Sequence, residues 1–182
     1  LSHVIKVDGF RTMDIGEVIE SIDLAPKKSL EQLRLFDLLL TDGSNQALRH
    51  GVYIFFNQEG ECVYVGMCSS SHFAHRIGGH FGMSPKYGMN TFLRRVVNGL
   101  NLKPSADNGY DHYVTALSQI GQYSILLIDA NGKGRKFVRA LERLLHAMLK
   151  PNLNFPKGMP KTYKSFTAEV GFDDAIAQCG GS

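Results

Sequence analysis

The residues able to do chemistry fall in two stretches of the chain. In the first, Gly51-Val52-Tyr53 and Tyr64-Val65-Gly66 place two tyrosines eleven residues apart, each near a glycine that lets another group approach the backbone closely. Arg76 lies twelve residues beyond Tyr64, and His80 four beyond Arg76. In the second, Glu142 stands within Leu141-Glu142-Arg143-Leu144-Leu145, and Asn154 follows twelve residues later, after Lys150-Pro151-Asn152-Leu153. A guanidinium offers a planar fork to an oxyanion. A carboxylate suits Mg²⁺, which takes few protein ligands and keeps several waters. Phosphodiester hydrolysis asks for an activated water, neutralised charge in the transition state and help for the leaving oxygen; one divalent cation can assist as Lewis acid and template. Each residue alone has a plainer explanation. Tyrosine alternating with valine usually marks a half-buried strand, and a lone helical glutamate is normally a surface residue.

In order, Gly51-Val52-Tyr53, Tyr64-Val65-Gly66, Arg76, Glu142 and Asn154 resemble the GIY-YIG nuclease superfamily, over about 51–82 and 122–154. His80 falls where family members often carry His or Tyr, and the spacing from Glu142 to Asn154 is that of the excision-repair nucleases. The resemblance implies an α+β fold, with a small three-stranded antiparallel sheet flanked by helices. It also implies a metal-dependent DNA endonuclease. Tyr53 would be the general base, Arg76 would hold the scissile phosphate, and Tyr64 and His80 would position water and phosphate. Glu142 would bind Mg²⁺ (or Mn²⁺), and Asn154 would orient Tyr53 or the hinge of the last helix. An ordinary tyrosine has a pKa near ~10, so its phenolate needs positive charge from Arg76 and the metal. His80 as the base stays open. Many members carry Lys after the second motif glycine; here that residue is Met67.

The elements that must hold these residues are readable in outline. Gln58-Glu59-Gly60-Glu61 is a turn between two β-prone runs, so 51–66 reads as a hairpin, with Val63 and Val65 on one face and Tyr64 on the other. Phe73 to Phe81 reads as a short helix carrying Arg76 and His80. Met89 to Leu100 and Tyr110 to Gln119 read as helices of an insert at about 82–121, with Lys103 to Gly109 a loop between them. Gln122 to Ala130 reads as a buried strand, and Lys136 to Lys150 as a helix stopped by Pro151. The first fifty residues form an N-terminal helical arm packed on the core. Asp14-x-x-Glu17 is a capping box for one helix, and Ser29-x-x-Gln32 opens a second that runs through Leu40 and ends at Asp42-Gly43-Ser44-Asn45. The core is then 51–154, and 155–182 is a basic tail ending in a short helix over Phe172 to Cys179.

Charge is distributed unevenly. The net charge is +3 over 182 residues, yet residues 1–50 carry eight acids and six bases while residues 62–168 carry fourteen bases and four acids. No acid occurs between Cys62 and Ala106. Such a stretch beside the tyrosines favours a polyanionic partner. Lys86, Arg94, Arg95, Lys103, Lys161 and Lys164 are the nucleic-acid-binding candidates. No apolar run is long enough to span a membrane, and no signal peptide is expected. Three cysteines without a paired framework suit a reducing cytoplasm. Cys68, His72, His75 and His80 bring zinc ligand types together but lack a second pair at defined spacing. A chain of this size with helical decorations resembles the family's restriction enzymes. The expectation is therefore sequence-specific cleavage of double-stranded DNA by a homodimer or higher homo-oligomer. A repair, structure-selective or toxin nuclease is one alternative. A non-catalytic nucleic-acid-binding module on a nuclease fold is another.

Overall fold

The computed structural model describes residues 2–39, 50–84, 88–102 and 110–180. Along the chain these form β1 (Val4–Lys6), α1 (Ile15–Leu24), β2 (Lys28–Ser29), α2 (Leu35–Leu38), β3 (Gly51–Phe56), β4 (Cys62–Cys68), α3 (Phe73–Gly78), β5 (Met83–Ser84), β6 (Gly88–Met89), α4 (Thr91–Gly99), α5 (Tyr110–Gly121), β7 (Ser124–Asp129), α6 (Arg135–Leu149) and α7 (Phe172–Gln178). Single 3₁₀ turns cover Val7–Phe10 and Gly79–Phe81. The fold is mixed α and β.

The hairpin forms with Tyr53 opposite Gly66 and Phe55 opposite Tyr64. On its other edge β3 runs antiparallel to β7, with Tyr53 opposite Leu127. All six residues of β3 are buried, as in a strand covered on both faces. The sheet is larger than the expected three antiparallel strands. Along the outer edge of β7, β1 pairs in parallel (Val4 with Leu127) and β2 pairs antiparallel (Lys28 with Ile125). Five strands result, in the order β1-β7-β3-β4 with β2 also on β7. Strands of two or three residues carry no readable hydrophobic period, so neither is visible in the sequence.

The second N-terminal helix also needs correction. Ser29 lies opposite Ser124 in the sheet, and the Leu30 N–H donates to the Tyr123 carbonyl at 2.9 Å. Backbone committed to the sheet cannot start a helix. Only α2 remains, its entry held by the Arg34 N–H donating to the Asp37 carboxylate at 2.9 Å. Leu40 and Asp42-Gly43-Ser44-Asn45 lie outside the described residues, as does the expected loop Lys103 to Gly109.

Helices cover both faces of the sheet. On one, Ile15, Val18 and Ile22 of α1, Leu141, Leu144 and Leu145 of α6 and Phe172 of α7 pack on Val52, Ile54 and Leu126. On the other, Phe73 and Ile77 of α3, Phe92, Leu93 and Val96 of α4 and Ala116 of α5 pack on Tyr53, Phe55, Ile125 and Leu127. Truncating a fully buried contact such as Leu141→Ala would cost ~2–5 kcal/mol. The capping box of α1 is present, with the Glu17 N–H donating to Asp14 at 2.8 Å and the Asp14 N–H to Glu17 at 2.9 Å. At the end of α6, Lys150 takes left-handed backbone (φ 48°) and Pro151 follows.

One local departure shapes the site. The β3–β4 register shifts between Phe55 and Phe56, so Val63 is an extra residue at a bulge. Val63 is buried in the layer that holds Tyr53, while Val65 is buried in the opposite layer. The expected common face for the two valines is broken there. Among the described residues no helix is long and apolar enough to cross a membrane.

Candidate active site

Tyr53 stands in the middle of the central strand with no exposed surface. Its cross-strand partner is a glycine for a steric reason: a Cβ built on Gly66 would fall on the Tyr53 hydroxyl. The ring therefore lies across Gly66 toward the outer side of β4. Tyr64 stacks beside it, ring centres 6.3 Å apart and planes 28° apart. At the far end of Tyr53 the hydroxyl meets His80 Nε2 at 2.5 Å. His80 arrives on the 3₁₀ turn that continues α3, and α3 itself is capped by His72, whose Nδ1 accepts from the His75 N–H at 3.2 Å. Phe92 of α4 closes over the group, its ring 5.2 Å from His80 and 5.0 Å from Tyr64.

Arg76, one helical turn before His80, presents its exposed guanidinium to the two tyrosines and to Glu142. Glu142 comes from the other layer, on α6, and faces the backbone N–H of Met67, a donor that favours its ionised form. Burial dominates the electrostatics throughout. It drives the Tyr53 phenol far above its ordinary range, with the nearby Tyr64 and Glu142 adding and Arg76 opposing. It also raises Tyr64. It pushes the Glu142 carboxyl up to about 7, although Arg76, Arg139, Arg143 and the Met67 N–H all pull it down. It lowers the His80 imidazole to about 4, and Arg76 lowers it further.

These shifts assign the protons. At neutral pH Tyr53 is a phenol and His80 an uncharged ring. Arg76 can only donate to the Tyr53 oxygen, which leaves the phenol proton for His80 Nε2 or for the neighbouring Tyr64 oxygen. When His80 receives it, the ring proton sits on Nδ1, which is buried without a close hydrogen-bond partner. Asn90 faces the ring and favours its protonated form, while its Oδ1 also accepts from the Phe92 N–H at 3.1 Å. A buried donor left open in this way is uncommon and costs stability.

Asn154 does not reach Tyr53. Its Oδ1 accepts from the Val65 N–H at 2.7 Å and its Nδ2 donates to the Val65 carbonyl at 2.9 Å. His146 Nε2 donates to the same carbonyl at 3.2 Å, and its Nδ1 accepts from the Tyr163 hydroxyl at 3.1 Å. The Leu153 N–H donates to the Val63 carbonyl at 2.9 Å. The loop after α6 thus pairs the edge of β4 as a further strand would. Asn154 clamps the strand that carries Gly66, the residue across which Tyr53 lies.

A cleft of about 290 Å³ opens over these groups, lined by Tyr64, His75, Arg76, His80, Asn90 and Arg95. A larger, mainly apolar cavity of about 890 Å³ lies against the opposite face of α3, at Leu33, Leu38, Ile77, Phe81 and Ile120. We place the site at the smaller one, because the buried polar groups converge there. Of the six basic candidates, Arg94 is exposed and bonded to Thr91 Oγ1 at 3.2 Å, and Lys161 and Lys164 are exposed on the tail. Arg95 lines the cleft but donates to the Leu153 carbonyl at 2.8 Å, so part of its role is holding the loop. Lys86 and Lys103 lie outside the described residues. Sequence reasoning missed Arg139 and Arg143, which act on Glu142, and His75 and Asn90 of the cleft. For the two arginines the signal was present, as bases flanking Glu142 on one helix.

Among the described residues no three His, Cys, Asp or Glu side chains gather into a metal-binding group. A magnesium site needs fewer, since the ion is held by one or two carboxylates with waters and substrate phosphates. The Glu142 carboxyl fits that requirement as a desolvated oxygen ligand beside the cleft's arginines. No family model, curated protein or solved structure matches the chain.

Proposed function

We propose that the protein is a metal-dependent DNA endonuclease of the GIY-YIG kind, hydrolysing phosphodiester bonds in double-stranded DNA. One observation carries the reading. Tyr53, Tyr64, Arg76, His80 and Glu142, from both layers and from five separate elements, converge at the β4 side of the sheet. Structural needs alone do not ask for an open donor on His80 or for a desolvated carboxyl facing Arg76.

In this reading the Arg76 fork binds the non-bridging oxygens of the scissile phosphate and neutralises their growing charge. The His80 Nδ1–H gains the acceptor it lacks when a phosphate oxygen enters the cleft. Once substrate opens the cleft onto its buried hydroxyl, Tyr53 takes a proton from the attacking water while passing its own to His80 Nε2, so the two act as one base. The anionic substrate raises the basicity of both. The water oxygen bonds to phosphorus, the bond to the leaving oxygen breaks, and that oxygen is protonated from solvent. Tyr64 packs the side of the water. Glu142 would hold Mg²⁺ or Mn²⁺, which when bound supplies a Lewis acid beside the phosphate. The finer assignment we attach is cleavage at a defined sequence, as in a type II-like restriction enzyme working as a homodimer or higher oligomer. The helices added around the sheet support it.

The test is to incubate the purified protein with unmethylated phage DNA and Mg²⁺ beside a Glu142→Ala control. Discrete bands that the control lacks are expected. A smear would remove the sequence-specific part, and intact DNA would remove the nuclease reading.

A further inference from the structure

The solvent face of α6 carries one kind of residue. Its four exposed positions are Arg135, Lys136, Arg139 and Arg143, and the capping Lys150 is exposed as well. Arg135, Arg139 and Arg143 recur every fourth residue, so they form a stripe rising about 6 Å per step. None of them forms an ion pair among the described residues. A solvated helix normally mixes signs and places acids in its first turn. Here the first turn holds Arg135 and Lys136 and no acid, against the helix dipole. Helix stability does not explain that placement.

The stripe also has a shape. Two adjoining hollows of about 340 and 350 Å³ run beside it, the first bounded by Arg135, Arg139 and Arg143, the second by Arg143, Thr162 and Lys164, with Cys179 common to both. Arg139 and Arg143, which bound the trough, also act on Glu142. A backbone whose scissile phosphate lies at Arg76 and Glu142 would continue along it.

We infer that the exposed face of α6, together with Lys164, is the docking surface for the sugar–phosphate backbone of duplex DNA flanking the cut. The inference rests on the nuclease reading and adds the surface that orients the substrate. Neutralised phosphates release counterions, so each contact contributes about 0.9 to the slope of log affinity against log salt.

The experiment compares wild type, Arg135→Gln/Lys136→Gln and a charge-matched control, Lys6→Gln/Arg34→Gln. Binding of a 20-base-pair duplex is followed by fluorescence anisotropy in EDTA across a salt series, and cleavage is followed with Mg²⁺. Glutamine keeps helix propensity, so the melting temperature of the α6 variant should not fall. Its salt slope should drop by ~1.8 and its affinity at low salt by roughly tenfold to a hundredfold. Its cleavage at subsaturating DNA should fall in step with its affinity, and the control should keep the wild-type slope. A wild-type slope in the α6 variant, from a protein that cuts DNA, overturns the surface and leaves the nuclease reading standing. A wild type that neither binds nor cuts any duplex removes both. If the two substitutions instead abolish binding to anionic phosphatidylserine vesicles and spare DNA, the face serves a membrane and the inference is overturned.

Discussion

Two polar clusters are buried against the same hairpin, and they are finished in opposite ways. On the outer edge of β4, Asn154, His146 and Tyr163 share out their hydrogen bonds so that both backbone groups of Val65 are satisfied. Across from the next residue of the strand, Gly66, Tyr53 and His80 form a close pair that leaves one imidazole nitrogen without a close partner, and Glu142 keeps a carboxyl raised to about 7. A satisfied network fixes a shape. An unsatisfied one stores a need that a ligand can meet. The first cluster therefore reads as scaffold and the second as chemistry, although the two are interleaved in the sequence.

The comparison can be broken most forcefully at Glu142. Glu142→Ala should lower cleavage by on the order of a thousandfold or more while DNA affinity in EDTA stays near wild type. A gel assay paired with anisotropy reads both, and retained cleavage would dismiss Glu142 as metal ligand. Gly66→Ala tests how the clusters are joined. Its methyl group would meet a Tyr53 ring that has no room to move, costing ~1–3 kcal/mol by overpacking and displacing the hydroxyl from His80. Chemical denaturation and cleavage should fall together, and an active, fully stable variant would contradict the packing described.

Asn154→Ala acts on the scaffold alone. It leaves the Val65 N–H orphaned, a loss of ~1–3 kcal/mol. At about 2–4 °C per kcal/mol for a chain of this size, the melting temperature should drop by several degrees. Cleavage measured well below that melt should fall less than about tenfold, the equivalent of 1.36 kcal/mol. The smallest effect is a pH signature of Glu142. Its carboxyl goes from 4.5 in the unfolded chain to about 7 in the fold, so the folded state holds its proton more tightly. The associated stability is present below 4.5 and is lost as pH rises through 7. Glu142→Gln should therefore gain ~1–2 kcal/mol over wild type at pH 8 and nothing at pH 4. Mg²⁺ should close that gap by stabilising wild type only. Equal stabilities at pH 8 would deny that the carboxyl is desolvated.

Much of the frame was legible because it follows local rules. The hairpin announced itself through its turn and alternating apolar residues, α1 through Asp14 and Glu17, and α6 through its apolar stripe and Pro151. What stayed hidden depends on partners distant in the chain. Val4-Ile5-Lys6 becomes a strand only because β7 offers an open edge, and Ser29 is drawn into the same edge instead of starting a helix. The bulge at Val63 appears only once β3 fixes the register. In the site, spacing picked out side chains that the fold gathers, but not their partners. The sequence shows that Asn154 follows Glu142 at twelve residues, but not that its amide faces the Val65 backbone. The basic face of α6 was visible as charge and went unweighted until the fold set it beside Glu142.

The most direct measurement is single-turnover cleavage by His80→Leu, taken with its melting temperature and DNA affinity. Leucine removes the open donor but also the acceptor of the buried Tyr53 hydroxyl, so stability should fall by ~1–3 kcal/mol, and DNA affinity, which loses the Nδ1–H contact to phosphate, should fall by less than about tenfold. Cleavage should be slower by about a hundredfold to a thousandfold, as for a lost acid–base group. Cleavage at the wild-type rate would contradict the account, because the open donor and its tyrosine would then have no part in the chemistry.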